Sequence, residues 1–293
     1  MRFTKMQGLG NDYLYLDAFA EPSLATRNDL HELTRAICDR HRGVGADGLI
    51  ILAPHHDKTA DVRMRMFNAD GIDGGVCGNG TRCAAKFVAD RGYILPSPAR
   101  PIIIDAGPRK LRATVQYDRH GLVNAATVDM GPPLFALERI PVDPTHIREA
   151  RHAEPTNPPQ FKVDHRTACF VSMGNPHMVA FIEEPIDLVN LADEGPKFEN
   201  HPAFPQRINY HIVNIISRDT ITMRTWERGA GITQACATGA CAAAAAGITL
   251  GRLDRAVRVQ MTGGTLDVRL DETTGDLFMT GEAVEVFSGE WNH

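Results

Sequence analysis

From Ala235 to Gly251 the chain carries no charge, and alanine or glycine fills most positions of Ala-Cys-Ala-Thr-Gly-Ala-Cys-Ala-Ala-Ala-Ala-Ala-Gly-Ile-Thr-Leu-Gly. A helix with no polar face has to be buried on every side. The run is shorter than the roughly 20 residues of a membrane span, and its side chains are too small to face lipid. An alanine helix is thin, so strands can close around it at short distance. The expected architecture is therefore α/β (α+β), with a curled, mostly antiparallel sheet wrapped about one central helix.

The surrounding sequence predicts those strands, and predicts them twice. The first half gives Phe3–Met6, Tyr13–Asp17, Leu49–Leu52, Val62–Asn68, Ile102–Asp105, Leu111–Gln116 and Leu122–Asp129, punctuated by Gly, Asn and Pro. Two helices are expected among them, one over 28–41 with Asn28 as N-cap and Gly43 near the C-cap, the other over 78–90. The second half predicts strands at Thr167–Ser172, Met178–Phe181, Ile208–Ile215 and Thr220–Trp226, a helix over 237–250, and strands from Arg255 onward. Between the halves, Pro132 to Pro159 is proline-rich and reads as linker plus loop insertion.

The halves can be laid on each other. Cys77-x-x-Gly80 matches Cys236-x-x-Gly239 at an offset of 236 − 77 = 159, and a small-residue helix follows each cysteine. Polar residues close a strand ahead of each, Asn68 and Glu227, and a Gly-Asn pair opens each half, Gly10-Asn11 and Gly174-Asn175. Four features in the same order point to a duplicated strand–turn–Cys–helix unit. Two pseudo-symmetric halves follow, 1–130 with 281–293 returning to it, and 131–280. The two cysteine-bearing helix N-termini are expected to face the groove between them.

Composition removes several function classes. Of 293 residues, 31 are basic and 36 acidic, a net charge of −5 without long blocks, which argues against nucleic acid or an anionic membrane as partner. The N-terminal Met-Arg-Phe-Thr-Lys-Met-Gln has no apolar core of a secretory signal, and six cysteines are too few for a disulfide scaffold, so a cytoplasmic protein with reduced thiols is expected. Gly43-Val44-Gly45-Ala46-Asp47-Gly48 matches G-x-G-x-x-G, but a predicted helix precedes it and a strand follows, the reverse of a dinucleotide site. The spacings Cys77-x5-Cys83 and Cys236-x4-Cys241 are not those of structural zinc, and no metal is expected. Cys83 and Cys241 fall inside helices as small hydrophobes.

Cys77 and Cys236 differ from these. Each stands between a turn and the first turn of a helix, where unpaired N–H groups and the helix dipole are expected to bring a thiol down from about 8.5 toward neutrality. The following amides, of Gly78-Asn79 and Ala237-Thr238, offer a carboxylate site needing no cationic side chain. Two thiols facing one carboxylate suit removal of the α-proton by one and its return by the other to the opposite face. The reaction is racemisation or epimerisation, and no lysine motif invites a pyridoxal cofactor. His177, read as a loop residue, and the Glu227-Arg228 pair have ordinary surface readings but become pocket candidates beside the cysteines.

The residues also carry a resemblance. Gln7-Gly8-Leu9-Gly10-Asn11-Asp12, Gly45-Ala46-Asp47-Gly48-Leu49, Phe67-Asn68-Ala69-Asp70-Gly71 through Cys77-Gly78-Asn79-Gly80-Thr81-Arg82-Cys83, Gly174-Asn175-Pro176-His177 and Glu227-Arg228-Gly229-Ala230-Gly231 through Ala235-Cys236-Ala237-Thr238-Gly239 together resemble the diaminopimelate epimerase family over essentially the whole chain. The resemblance implies a cofactor-independent isomerase interconverting LL- and meso-2,6-diaminopimelate in lysine and peptidoglycan precursor synthesis, commonly a homodimer. It implies Cys77 and Cys236 as acid and base, assisted by His177 and Glu227. It places the reacting carboxylate on the amides of Gly78, Asn79, Ala237 and Thr238, and the distal amino-acid end on Asn11, Asn68, Asn175, Asn209, Glu227 and Arg228. An ammonium needs amide oxygens and a carboxylate, and a carboxylate suits an Arg fork. Departures are Ala237 and Ile232, the run Asp73-Gly74-Gly75-Val76, and the long proline-rich segment. They keep open a racemase of another amino acid with the same fold. A non-enzymatic protein holding metal on its cysteines is the reading from a different class.

Overall fold

The computed structural model describes residues 1–75, 77–95, 97, 100–150 and 157–292. Val76 and residues 151–156 of the proline-rich segment lie outside the described residues, as does His293. The chain divides into two compact units, Met1–Asp129 with the stretch from Thr280 onward, and Met130–Met279.

In the first unit β1 (Arg2–Gly8) pairs antiparallel with β2 (Asn11–Asp17). After α1 (Leu30–Cys38), β3 (Gly48–Pro54) lies parallel to β2, and β4 (Val62–Asn68) is antiparallel to β3. Then come α2 (Gly78–Asp90), β5 (Ile102–Asp105) parallel to β4, and β6 (Lys110–Tyr117) and β7 (Val123–Gly131) as an antiparallel meander. β3 is apolar on both faces because both are covered. Leu49 and Ile51 pack with Leu30, Leu33 and Ile37 of α1, while the Ile50 side chain reaches Gly80 of α2. Helix α2 is buried from Gly78 to Ala89, so its charged residues are bonded internally. Arg82 Nε donates to the carbonyl of Glu282, and Lys86 pairs with Asp90 at 2.6 Å.

The second unit repeats this order. After the short β8 (Arg148–Glu149) and β9 (Phe161–Val163), β10 (Arg166–Ser172) is antiparallel to β11 (Pro176–Phe181). Helix α3 (Leu191–Glu199) intervenes before β12 (Asn209–Ser217), which lies parallel to β11 and antiparallel to β13 (Thr220–Glu227). Past β14 (Gly231–Thr233) and α4 (Ala237–Thr249), β15 (Ala256–Met261) runs parallel to β13 and antiparallel to β16 (Gly264–Leu270). The pairing sense of β1-β2-β3-β4-α2-β5-β6 is therefore that of β10-β11-β12-β13-α4-β15-β16, strand for strand. Helix α4 is packed by β10, β11, β12, β15 and β16, which is the enclosure its composition demands. The chain continues through β17 (Leu277–Glu282) to β18 (Val284–Glu290), which pairs antiparallel with β1 in the first unit. Among the described residues no helix is long and apolar enough to cross a membrane.

Three expectations need correction. Helix α1 is shorter than 28–41. Asp29, not Asn28, occupies its N-cap, and Asp39 leaves the helix, its carboxylate accepting the N–H groups of His41 and Arg42. Gly43 then packs so close to the helix end that a Cβ there would stand 2.5 Å from the Ile37 carbonyl oxygen. The glycine run thus closes a helix and leads into β3. Helix α3 is not among the expected elements, and the Gly195-Pro196 pair inside it is a poor helix former. Tertiary packing overrides this: a Cβ on Gly195 would meet Trp226 at 2.2 Å, and Leu191 and Phe198 are buried. Finally, the described part of the proline-rich segment is anchored rather than a free linker. Leu134 bridges to Ser172, and Ile140 joins the core of the second unit.

Candidate active site

Cys77 is the N-cap of α2, with φ −119° and ψ 112°. Its sulfur accepts the Gly80 N–H at 3.3 Å, and the Tyr13 hydroxyl lies 3.1 Å away. Tyr13 comes from β2, two residues past Asn11. Burial, reinforced by the neighbouring Cys77, pushes its phenol well above the usual value, so it keeps its proton beside the sulfur. Asn79 Nδ2 donates to Asn11 Oδ1 at 2.9 Å, tying the first turn of α2 to the start of β2. Asp12 and Asp47, both bonded to Arg40, fix that strand end, and Lys5 pairs with Asp12 at 2.8 Å. Asn68 ends β4 with its side chain exposed. The loop after it folds close, since a Cβ on Gly74 would lie 2.9 Å from Asn68 Oδ1.

Cys236 caps α4 with nearly the same backbone, φ −121° and ψ 107°. Its sulfur accepts the Gly239 N–H at 3.4 Å and lies 3.6 Å from the Thr238 hydroxyl. Glu227, at the end of β13, accepts from Thr233 Oγ1 at 2.6 Å and bears on the Cys236 thiol. The turn after Glu227 is shaped by the buried Glu199, which takes the Trp226 indole N–H at 2.6 Å, the Gly229 N–H at 2.9 Å and Arg207 at 3.0 Å.

The expected lowering of both thiols does not hold at Cys236. Burial, followed by the Glu227 carboxylate, pushes this thiol well above its usual value, although Thr238 and the Gly239 amide pull the other way. The helix terminus is present, but desolvation at 3% exposure outweighs it. Cys236 is therefore held as a thiol.

His177 is also corrected. It lies in β11 rather than a loop and is completely buried. Its Nε2 meets Asn175 Oδ1 at 2.9 Å and its Nδ1 meets His211 Nε2 at 2.8 Å, while His211 Nδ1 meets Thr225 Oγ1 at 3.1 Å. Burial, then His211 and Arg228, lower His177 well below the usual imidazole value, and burial lowers His211 to about 3. Between about pH 6.5 and about 3 the unfolded chain binds protons at these positions that the folded one refuses, so stability falls as pH drops through that window. His211 alone is expected to remove about 2 kcal/mol by pH 5. Thermal unfolding at pH 7, 6 and 5 checks this: the midpoint should decline by several degrees, and H211Q should flatten the decline.

The structure thus brings Asn175, His177, Glu227, Cys236, Ala237 and Thr238 together in the second unit. In the first it joins Asn11, Cys77, Gly78 and Asn79, with Asn68 on a neighbouring strand end. Asn209 is 4% exposed and already committed, donating to the Pro176 carbonyl at 2.8 Å and accepting the Arg228 N–H at 3.0 Å. It braces Arg228, whose guanidinium reaches the Gln206 carbonyl. Tyr13, His211 and Thr225 escaped the sequence reading. Their only signal was the period of two along a strand: His211 lies two residues after Asn209, and Thr225 two before Glu227.

His177, His211 and Cys236 each offer a ligand atom within 4.8 Å of the others, which bears on the metal-binding reading. The fit is poor. Two imidazole nitrogens at about 2.0–2.1 Å from one tetrahedral zinc stand about 3.3 Å apart with lone pairs converging on it. Here they are 2.8 Å apart and point at each other as donor and acceptor.

A family model for diaminopimelate epimerase matches residues 3–135 and 169–286. The chain belongs to the diaminopimelate epimerase family. It is 44% identical to the diaminopimelate epimerase of Acetivibrio thermocellus over 292 residues, covering 99% of this chain and 98% of that protein. The diaminopimelate epimerase of Desulfovibrio desulfuricans is also 44% identical, over 297 residues and with the same coverage. Among solved structures, a probable proline racemase from Agrobacterium radiobacter K84 superposes with a TM-score of 0.68 at 14% identity, covering 99% of this chain and 92% of its own. That likeness concerns the α/β fold alone.

Proposed function

We propose that this protein interconverts LL- and meso-2,6-diaminopimelate without a cofactor, moving the α-proton between Cys77 and Cys236, and so serves lysine and peptidoglycan precursor synthesis. The observation carrying the reading is that two cysteines, 159 positions apart, cap buried helices with φ and ψ agreeing within a few degrees, each accepting the N–H three residues on. The substrate carboxylate lies on the amides of Gly78, Asn79, Ala237 and Thr238. There the charge that develops as the α-carbon loses its proton meets two helix N-termini.

Cys77 accepts the Gly80 N–H and lies 3.1 Å from the Tyr13 hydroxyl, and it takes the proton in one direction. Cys236, kept as a thiol by burial and Glu227, delivers a proton to the other face. In the reverse direction the roles exchange. Asn11, Asn68 and Asn175 supply amide groups to the distal ammonium, Glu227 its counter-charge, and Arg228 the fork for the distal carboxylate. Asn209 acts through Arg228. Ala237, which is buried, and Ile232, half exposed on β14, are the positions that tune substrate preference.

The protein works in the cytoplasm as a homodimer. The last strand, β18, supports the second point by leaving Val284, Val286 and Phe287 exposed. The reading is tested by incubating purified protein with LL-diaminopimelate and no added cofactor, then resolving stereoisomers by chiral chromatography. A mixture of LL and meso forms is expected. Faster inversion of a monoamino, monocarboxylic acid in a parallel panel would transfer the assignment to another racemase.

A further inference from the structure

A file of hydrogen bonds runs through the second unit, and its polarity can be read from one end. Asn175 Nδ2 donates to Thr238 Oγ1 at 3.3 Å, which turns Asn175 Oδ1 toward His177 Nε2 as an acceptor. His177 Nε2 therefore carries the hydrogen and its Nδ1 is a lone pair. His211 must then donate from Nε2, which leaves its own Nδ1 to accept from the Thr225 hydroxyl. At the other end, Thr238 Oγ1 already receives the Asn175 amide, so its own hydrogen is available to Cys236 Sγ at 3.6 Å. Every donor from Thr225 to Asn175 points the same way, toward the Thr238 hydroxyl beside Cys236.

We propose that His211 is a positioning residue for the epimerisation: through His177, Asn175 and Thr238 it keeps a hydroxyl hydrogen aimed at the Cys236 sulfur. The proposal rests on the reading of Cys236 as an acid/base group. Its function is to stabilise the thiolate left after Cys236 has given up its proton, in a buried place where Glu227 opposes that charge. Around this sulfur, Glu227 comes from β13, His177 from β11 and His211 from β12, and Arg228 acts on His177. Neither histidine has a ring nitrogen left over for substrate. His211 is also locked in place, since a Cβ on Gly239 would stand 2.3 Å from its Cε1. The relay needs a neutral donor at Nε2, and a buried imidazole that resists protonation supplies one over the whole working pH range.

The test compares H211M, which keeps the bulk but cannot donate, with H211Q, whose amide can. Each is treated with iodoacetamide under native conditions at about pH 8.5, and modification of Cys236 and Cys77 is followed separately by peptide mass spectrometry. In H211M the Cys236 rate should fall about tenfold relative to Cys77, the equivalent of one pKa unit. kcat should fall by about the same tenfold with KM changed less than about threefold. H211Q should restore most of both. A role in packing alone predicts the opposite sign, because a loosened site exposes Cys236 and speeds its alkylation. An unchanged or faster Cys236 rate in H211M overturns the proposal. T225V against T225S repeats the comparison at the far end of the relay and serves if H211M does not fold: a Cys236 rate as slow in T225S as in T225V, or unaltered in both, overturns it equally. Alkylation is read without substrate, so failure of this proposal is distinguishable from failure of the proposed reaction.

Discussion

Cys77→Ser and Cys236→Ser are each expected to lower kcat for diaminopimelate epimerisation by about 10²–10⁴-fold, the range for loss of a positioned acid or base. Both retain a hydroxyl of nearly the same size in the same N-cap position, so the helix keeps its cap and the fold should be undisturbed. A hydroxyl is far less acidic than a thiol, so it neither takes the α-proton nor leaves a stable anion after giving one up. Because one proton must leave as another arrives, the two losses belong to one event. The double variant should therefore be little slower than the worse single one. Unfolding midpoints close to the parent's would assign the loss to chemistry. Near-parental turnover in either single variant would remove that sulfur from the reaction.

Gly239→Ala is expected to damage the candidate site severely. Its Cβ would fall 2.3 Å from His211 Cε1 and 2.8 Å from Nε2. The ring cannot step aside, because both nitrogens are bonded and the residue is fully buried. Overpacking of this kind costs about 1–3 kcal/mol, and the relay to Cys236 would break with it. At the equivalent position in the first unit, the closest atom to a Gly80→Ala Cβ is the Cδ1 of Ile50 at 2.7 Å, the free end of a flexible side chain, with Cys77 at an ordinary contact distance of 3.5 Å. Denaturant midpoints and kcat for the two variants should therefore diverge, with G239A much the worse. Equal effects would mean that the His211 packing is not the constraint.

What the sequence made legible follows from where information is local. The bounds of α2 and the strands Val62–Asn68 and Ile102–Asp105 coincide with expectation, because turn residues bracket them and nothing distant competes. The duplication was legible from the paired Cys-x-x-Gly headings, and the matching order of strand pairings gives it physical form. His177 was misplaced in a loop because Gly174-Asn175-Pro176 reads as a turn, whereas Pro176 is the first residue of a strand, where proline is tolerated. Helix α3 was invisible because its Gly195 answers to Trp226, a contact between residues 31 positions apart (226 − 195). The expected lowering of the Cys236 thiol fails for a related reason. A helix terminus can be read from neighbouring residues, but desolvation and the approach of Glu227 depend on how distant strands close over the sulfur.

The central claim is that two separate groups, one on each face of the substrate carbon, exchange its proton. Early in a reaction of LL-diaminopimelate in D2O, newly formed meso product should carry deuterium at the inverted carbon, while recovered LL substrate remains protiated there. Deuterium appearing equally in recovered substrate and product, or substrate hydrogen carried over into the product, would mean that one group serves both faces and would contradict the account.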